Sequence, residues 1–316
     1  MRICLRKKAA LCFLVLAAGL AAAGCAPAKR ETEAQLIAQR EEWAVLRGAP
    51  SQTGRVLTVS RGLWAQGALM LASPAHPLPP DAVPPDARDV KAMVGGYLPV
   101  QGAVLLRDEV IYALCSMQCD HSFFDQAVFL NGALSAAQQE ELRREAFERY
   151  RAVYPLAQAM DRACAAVPGA YESEHQTGWA VDVLLTGPLE LKEKNPLARN
   201  GAGRWMLENL WRYGLIQRYT PESGERGSCE RIHLRYVGPI HAAAMRALHL
   251  NFEDYLFFLH QEKEITLTRN GAPYAYIRCL PEEDALSFSL PENAAWTVSG
   301  DNAGFVILAV AAQGRF

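Results

Sequence analysis

The sequence predicts an α+β fold: a small antiparallel sheet flanked by helices, followed by a small all-β module at the C-terminal end. Two strand-like runs, a series of amphipathic helices and a change of periodicity near residue 263 point to it. Trp179–Leu185, WAVDVLL, is apolar and β-branched and reads as a buried strand with one carboxylate, Asp182, in its middle. His233–Val237 reads as a second strand, with Leu234 and Tyr236 on one face and His233 and Arg235 on the other. If the two strands pair, Asp182 and His233 face each other.

Along the chain, Arg2, Arg6, Lys7 and Lys8 precede the apolar stretch Ala9–Ala23, which is too short for a permanent membrane span. Residues 1–24 therefore read as a secretion signal. It ends in Ala22-Ala23-Gly24-Cys25, close to a bacterial lipobox with Ala22 in the usual leucine position, so Cys25 is the expected lipidation site. Ordinary signal cleavage is the alternative. Either way the mature chain is expected outside the cytoplasm, and lipid on Cys25 would hold it to the membrane. Loss of residues 1–24 removes four positive charges and no negative one, taking the formal net charge from −2 to −6. No basic patch for nucleic acid is expected. Of the eight cysteines, five remain beyond Cys25, an odd number that does not support a full disulfide framework.

Residues 25–66 read as a tether and N-terminal extension, with a helical fragment over Glu31–Leu46 and short β-like runs from Gly54. Ser73–Pro80, SPAHPLPP, is an extended, proline-set segment. Val110, Ile111, Leu114 and Met117 are spaced for an amphipathic helix, and His121 beyond them is expected at the surface. Ser135 with Gln138 forms a capping box for a helix to about Tyr150, with Leu142, Phe147 and Tyr150 inward. Pro155–Ala166 gives another helix, broken at Pro168-Gly169. Further helices are expected over Gly201–Tyr213, over Pro239–Leu250 with His241 and His249 facing solvent, and over Phe252–His260 with Leu256, Phe257 and Leu259 packed inward. Ile265–Thr268 and Tyr274–Arg278 flank Asn270-Gly271, a strong hairpin signal, and Ser287–Leu290, Thr297–Val298 and Phe305–Val310 add strands.

Chemistry concentrates in Ser173–Asp182, SEHQTGWAVD, and in Glu230–His233, ERIH. A catalytic zinc takes three ligands from histidine and acidic side chains and keeps a position open for water. His175, Asp182 and His233 supply such a set, with Gly178 giving the chain freedom to fold His175 back toward Asp182. Glu230 is a spare carboxylate suited to take a proton from water.

At these residues the sequence resembles the VanY-type D-alanyl-D-alanine carboxypeptidases, zinc enzymes of bacterial cell-wall metabolism with the Hedgehog/DD-peptidase fold. Ser173, His175, Gly178, Ala180, Asp182, Glu230 and His233 fall on the family pattern S-x-H-x-x-G-x-A-x-D followed by E-x-x-H. The likeness extends to Arg212–Tyr219 and His233–Gly238. It implies a catalytic domain over residues 67–262, with 263–316 as an added β module that minimal members lack. It also implies a zinc cofactor, a D-Ala-D-Ala-ended peptidoglycan peptide as substrate, Ser173 at the substrate rim and Gln139 in a substrate-binding position. The family's G-Y-R-S-x-x-x-Q segment is matched by Gly132–Gln139, GALSAAQQ, with Leu134 where an arginine stabilises the oxyanion. Loss of such a donor costs roughly a hundred- to a thousand-fold in rate. Arg231, in a position where the family has proline, is the candidate replacement cation. A second reading stays open, a zinc-bearing protein that binds wall peptides with little or no hydrolysis. A third, a different dipeptidase or endopeptidase on this scaffold, turns on how closed the cleft is.

Overall fold

Two largely buried central strands organise the structure. The computed structural model describes residues 42–49, 53–79, 86–219 and 232–312. The expected signal and Cys25, and the stretch holding Glu230 and Arg231, lie outside these residues. Strands β1 (Trp43–Arg47) and β2 (Arg55–Ser60) lead into helix α1 (Arg61–Trp64), β3 (Arg88–Asp89), α2 (Val90–Val94) and β4 (Leu105–Leu106). Next come α3 (Asp108–Asp120), β5 (Ala127–Leu130), α4 (Ala136–Arg151), α5 (Leu156–Ala166) and β6 (Ala180–Leu185). Helix α6 (Gly201–Asn209), β7 (Leu215–Gln217), β8 (Ile232–Tyr236), α7 (Pro239–Leu248) and α8 (Phe252–Glu262) follow. The chain closes with β9 (Glu264–Arg269), β10 (Ala272–Pro281), β11 (Ala285–Leu290), β12 (Trp296–Gly300) and β13 (Phe305–Ala311).

Strands β5, β6, β8 and β7 form an antiparallel sheet in that order, with Asp182 opposite His233 and Ala180 opposite Arg235. Val181, Val183 and Leu234 point to one face, where they are buried with Val110, Ile111, Leu114 and Met117 of α3. Each such side chain contributes roughly 1.5–3 kcal/mol by leaving water. Alternation then forces Asp182 and His233 onto the other face. That alternation makes one register fix the whole site.

Helix α4 starts with the expected capping box: Ser135 Oγ accepts from Gln138 N at 3.2 Å and Gln138 Oε1 accepts from Ser135 N at 2.8 Å. Its buried face differs from the expectation. Leu142 is 40% exposed, while Gln139 and Ala146 are buried, because this helix packs on α5 through small residues such as Ala159 and Ala163. Three further side chains depart from expectation. Phe257 is exposed, whereas Leu256 and Leu259 are buried. His241 is buried, its Nδ1 2.8 Å from Tyr255 Oη, and burial drives its pKa down to about 3. His121 is half-buried and stacked on Trp205 with ring centroids 5.0 Å apart.

The C-terminal strands form as expected. Asn270 and Gly271 both adopt positive φ, 50° and 77°, the backbone that a two-residue hairpin turn between β9 and β10 demands. The module is not built from C-terminal residues alone. Its five-stranded sheet runs β1-β9-β10-β13-β12, and β11 pairs with β2. The helix expected over Glu31–Leu46 is therefore replaced at its C-terminal end by strand β1, with Trp43 opposite Arg269. Trp43 and Val45 pack on the core beneath β9, so an available sheet edge overrides local helix propensity. The remainder of that expected helix lies outside the described residues.

Candidate metal centre

Asp182 and His233 meet because β6 and β8 pair with these two residues in register. His175 arrives from a single tight helical turn over Glu174–Thr177, which ends at Gly178 in the left-handed conformation, φ 72°. A side chain there would be strained, and the reversal sends the chain directly into β6. His233 Nδ1 then lies 2.9 Å from Asp182 Oδ1, and His175 Nε2 lies 3.3 Å from the same oxygen. One atom from each residue falls within 4.8 Å of the other two.

The outer atoms of the same side chains are occupied. His175 Nδ1 lies 3.0 Å from the Gly132 carbonyl and donates there, so Nε2 is the nitrogen turned toward Asp182. His233 Nε2 lies 3.2 Å from Glu174 Oε2, which directs Nδ1 inward. Asn131 Nδ2 donates to Asp182 Oδ2 at 2.9 Å, turning Oδ1 toward the two rings. Ligands of a tetrahedral zinc stand roughly 3.3 Å apart, since each bond is about 2.0–2.1 Å. The donor set, its spacing and its braced outer atoms fit such an ion.

Charge balance supports the same picture. Burial opposes ionisation of Asp182, but His175 and His233 outweigh it and hold the carboxyl well below its usual range. Burial also opposes a charged His233, yet hydrogen bonds to Asp182 and Glu174 lift it to about 9. Without a metal, a proton therefore occupies the space between ring and carboxylate. Glu174 is buried and stays ionised despite desolvation because Arg218 and Arg235 face it: Arg218 Nε donates at 2.8 Å and Arg235 Nη1 lies 3.6 Å away.

Other expected site residues are placed as follows. Ser173 is buried at the start of the turn that carries His175. Gln139 is buried, and its Nε2 donates to the Pro168 carbonyl at 2.8 Å, bracing the bend that leads to Ser173. Leu134 is half-buried just before α4. Glu230 and Arg231 lie outside the described residues. Sequence reasoning assigned no role to Glu174, Arg218 or Asn131. The available signal was Arg235, a charge on the His233 face of a buried strand, which needs a buried anion to face it.

Residues 106–239 match the profile of the VanY family, D-alanyl-D-alanine carboxypeptidase. A D-alanyl-D-alanine carboxypeptidase of Enterococcus faecium is 27% identical over 267 residues, covering 82% of this chain and 80% of the relative. One of Enterococcus faecalis is 36% identical over 134 residues, 41% of this chain and 47% of the relative. Among solved structures, the vancomycin resistance D,D-dipeptidase VanXYg, in complex with a D-Ala-D-Ala phosphinate analog, superposes with a TM-score of 0.65 at 19% identity. That likeness of fold covers 81% of this chain and 98% of VanXYg, more than residues 67–262 alone supply. Residues 106–239 thus form a VanY-type domain, and over them the chain is similar to the D-alanyl-D-alanine carboxypeptidases.

Proposed function

We propose that the chain is a zinc-dependent D-alanyl-D-alanine carboxypeptidase that trims peptidoglycan stem peptides outside the cytoplasm, held to the membrane by lipid on Cys25. One observation carries the metal reading. The inner nitrogens of His175 and His233 converge on Asp182 Oδ1 while every outer atom of the three side chains has a partner. The substrate follows from the activity that the relatives' names state.

In this reading His175 Nε2, His233 Nδ1 and an oxygen of Asp182 hold the ion. Bound zinc would polarise the scissile carbonyl and lower the pKa of water toward neutrality. Glu230, three residues before His233, takes the proton of the attacking water and delivers it to the departing amine. The new C–O bond forms at the carbonyl as the C–N bond breaks and D-alanine leaves. Gln139 steadies the bend that leads to Ser173, whose buried side chain serves the site through the turn carrying His175, and Arg231 supplies the cation absent at Leu134.

The test is release of D-alanine from a D-Ala-D-Ala-ended pentapeptide by the purified, zinc-loaded chain. Wild type is expected to release it, and Glu230→Gln to bind zinc without releasing it. Equal, negligible release by both would favour the second reading, a wall-peptide binder. Leu134 supports that reading, together with the engagement of both site guanidiniums, Arg218 and Arg235, by Glu174.

A further inference from the structure

A histidine ring is not oriented by rotamer preference alone, because its terminal torsion is broad and roughly two-fold. A half-turn of His233 would exchange Nδ1 for a carbon facing Asp182. What holds the ring is Glu174, and what holds Glu174 lies partly outside the four-stranded sheet. Its Oε1 accepts from Arg218 Nε at 2.8 Å. The two remaining nitrogens of Arg218 both bond Glu253, Nη1 to Oε2 at 2.9 Å and Nη2 to Oε1. Glu253 stands in the first turn of α8. Phe252, Leu256 and Leu259 of that helix are buried in one cluster with Ile265, Leu267 and Ile277 of β9 and β10.

The other guanidinium facing Glu174 is tied to the same module. Arg235 Nη2 donates to the carbonyls of Ala68 and Met70, each at 3.0 Å. Between them, Leu69 N donates to Ser299 Oγ of β12 at 2.9 Å. The Phe252 ring lies under both arginines, 5.2 Å from Arg218 Cζ and 5.7 Å from Arg235 Cζ.

We infer that Glu174 and Glu253 are positioning residues for the metal site: the chain Glu253–Arg218–Glu174–His233 sets the ring of a ligand, and makes α8 and the β module beneath it a working part of the centre. The inference rests on the zinc reading above. It gives the module a role that a passive cover would not have. Glu253 is the informative link, since its side chain is 44% exposed and Arg218 is 4% exposed. Changing it spares the core and loosens only the far end of the chain.

The experiment uses the full chain in wild-type form and as Glu174→Gln, Glu253→Gln and, as a control on the exposed surface of the module, Glu283→Gln. Zinc affinity is measured by chelator competition, the unfolding temperature is measured without metal, and the ring nitrogens of His233 are followed by nitrogen-15 resonance in the zinc-loaded state. Outer partners of metal ligands typically contribute about 10- to 100-fold in affinity. Glu174→Gln is expected to fall in that range. Glu253→Gln is expected to lose several-fold, with a metal-free unfolding temperature like that of wild type and a shifted His233 nitrogen signal. Glu283→Gln should change none of these. Wild-type zinc affinity and unshifted His233 signals in Glu253→Gln would overturn the link to α8, and the same result in Glu174→Gln would overturn the whole inference. Failure of wild type to bind zinc would instead remove the reading on which it rests.

Discussion

Lowering the pH should eject the metal through one identifiable proton. His233 in the metal-free protein is lifted to about 9, because Asp182 and Glu174 hold its proton in spite of burial. A metal at Nδ1 requires that nitrogen bare, so between pH 6 and pH 8 each zinc ion must displace a proton from this ring. One competing proton costs about 1.4 kcal/mol, or tenfold, per pH unit. Apparent affinity should therefore fall about a hundredfold from pH 8 to pH 6 and flatten above pH 9. Calorimetric titration in two buffers of different ionisation enthalpy counts the proton directly, and about one per zinc is expected from His233 at pH 7. Equal affinity at pH 6 and pH 8, with no proton released, would refute the reasoning.

Four further outcomes follow from the same geometry. Arg231→Ala removes the cation assigned to the oxyanion, and kcat should fall by roughly a hundred- to a thousand-fold, with Leu134→Arg in the same chain recovering much of the loss; steady-state kinetics decides. Asn131→Ala frees Asp182 Oδ2 and should weaken zinc binding about tenfold or more in a chelator competition. The folded pKa of His233 is raised from 6.5, so it stabilises the metal-free fold fully below pH 6.5, and that stability should disappear as pH rises through 9. His241 works in the opposite sense. Its folded pKa is depressed to about 3, so it stabilises above pH 6.5 and costs the metal-free protein about 2 kcal/mol from pH 6.5 to pH 5. Urea unfolding across both windows, with His241→Leu flattening the acidic one, checks the two signs.

The central strands were legible because each carries its own evidence. A β-branched run with one carboxylate, and a second run with alternating faces, leave one sensible pairing, and Asp182 does lie opposite His233. Ser135 with Gln138, and Asn270 with Gly271, were legible because caps and tight turns are local chemistry. What failed to show was anything decided by a distant partner. Trp43–Arg47 becomes a strand only because β9 offers an edge far along the chain. His241 looked solvent-facing on its helix because the Tyr255 that covers it belongs to the next one. Glu174 lay in plain view between Ser173 and His175. Its importance appears only when β7 and β8 bring Arg218 and Arg235 to it.

The central claim is that one ion sits where His175, Asp182 and His233 converge. Crystals of the zinc-loaded chain, with anomalous diffraction collected at the zinc edge, test it most directly. A single peak is expected about 2.0–2.2 Å from His175 Nε2, His233 Nδ1 and an Asp182 oxygen, with His233 Nε2 still on Glu174. A peak elsewhere, or one bound through His233 Nε2, would contradict the account.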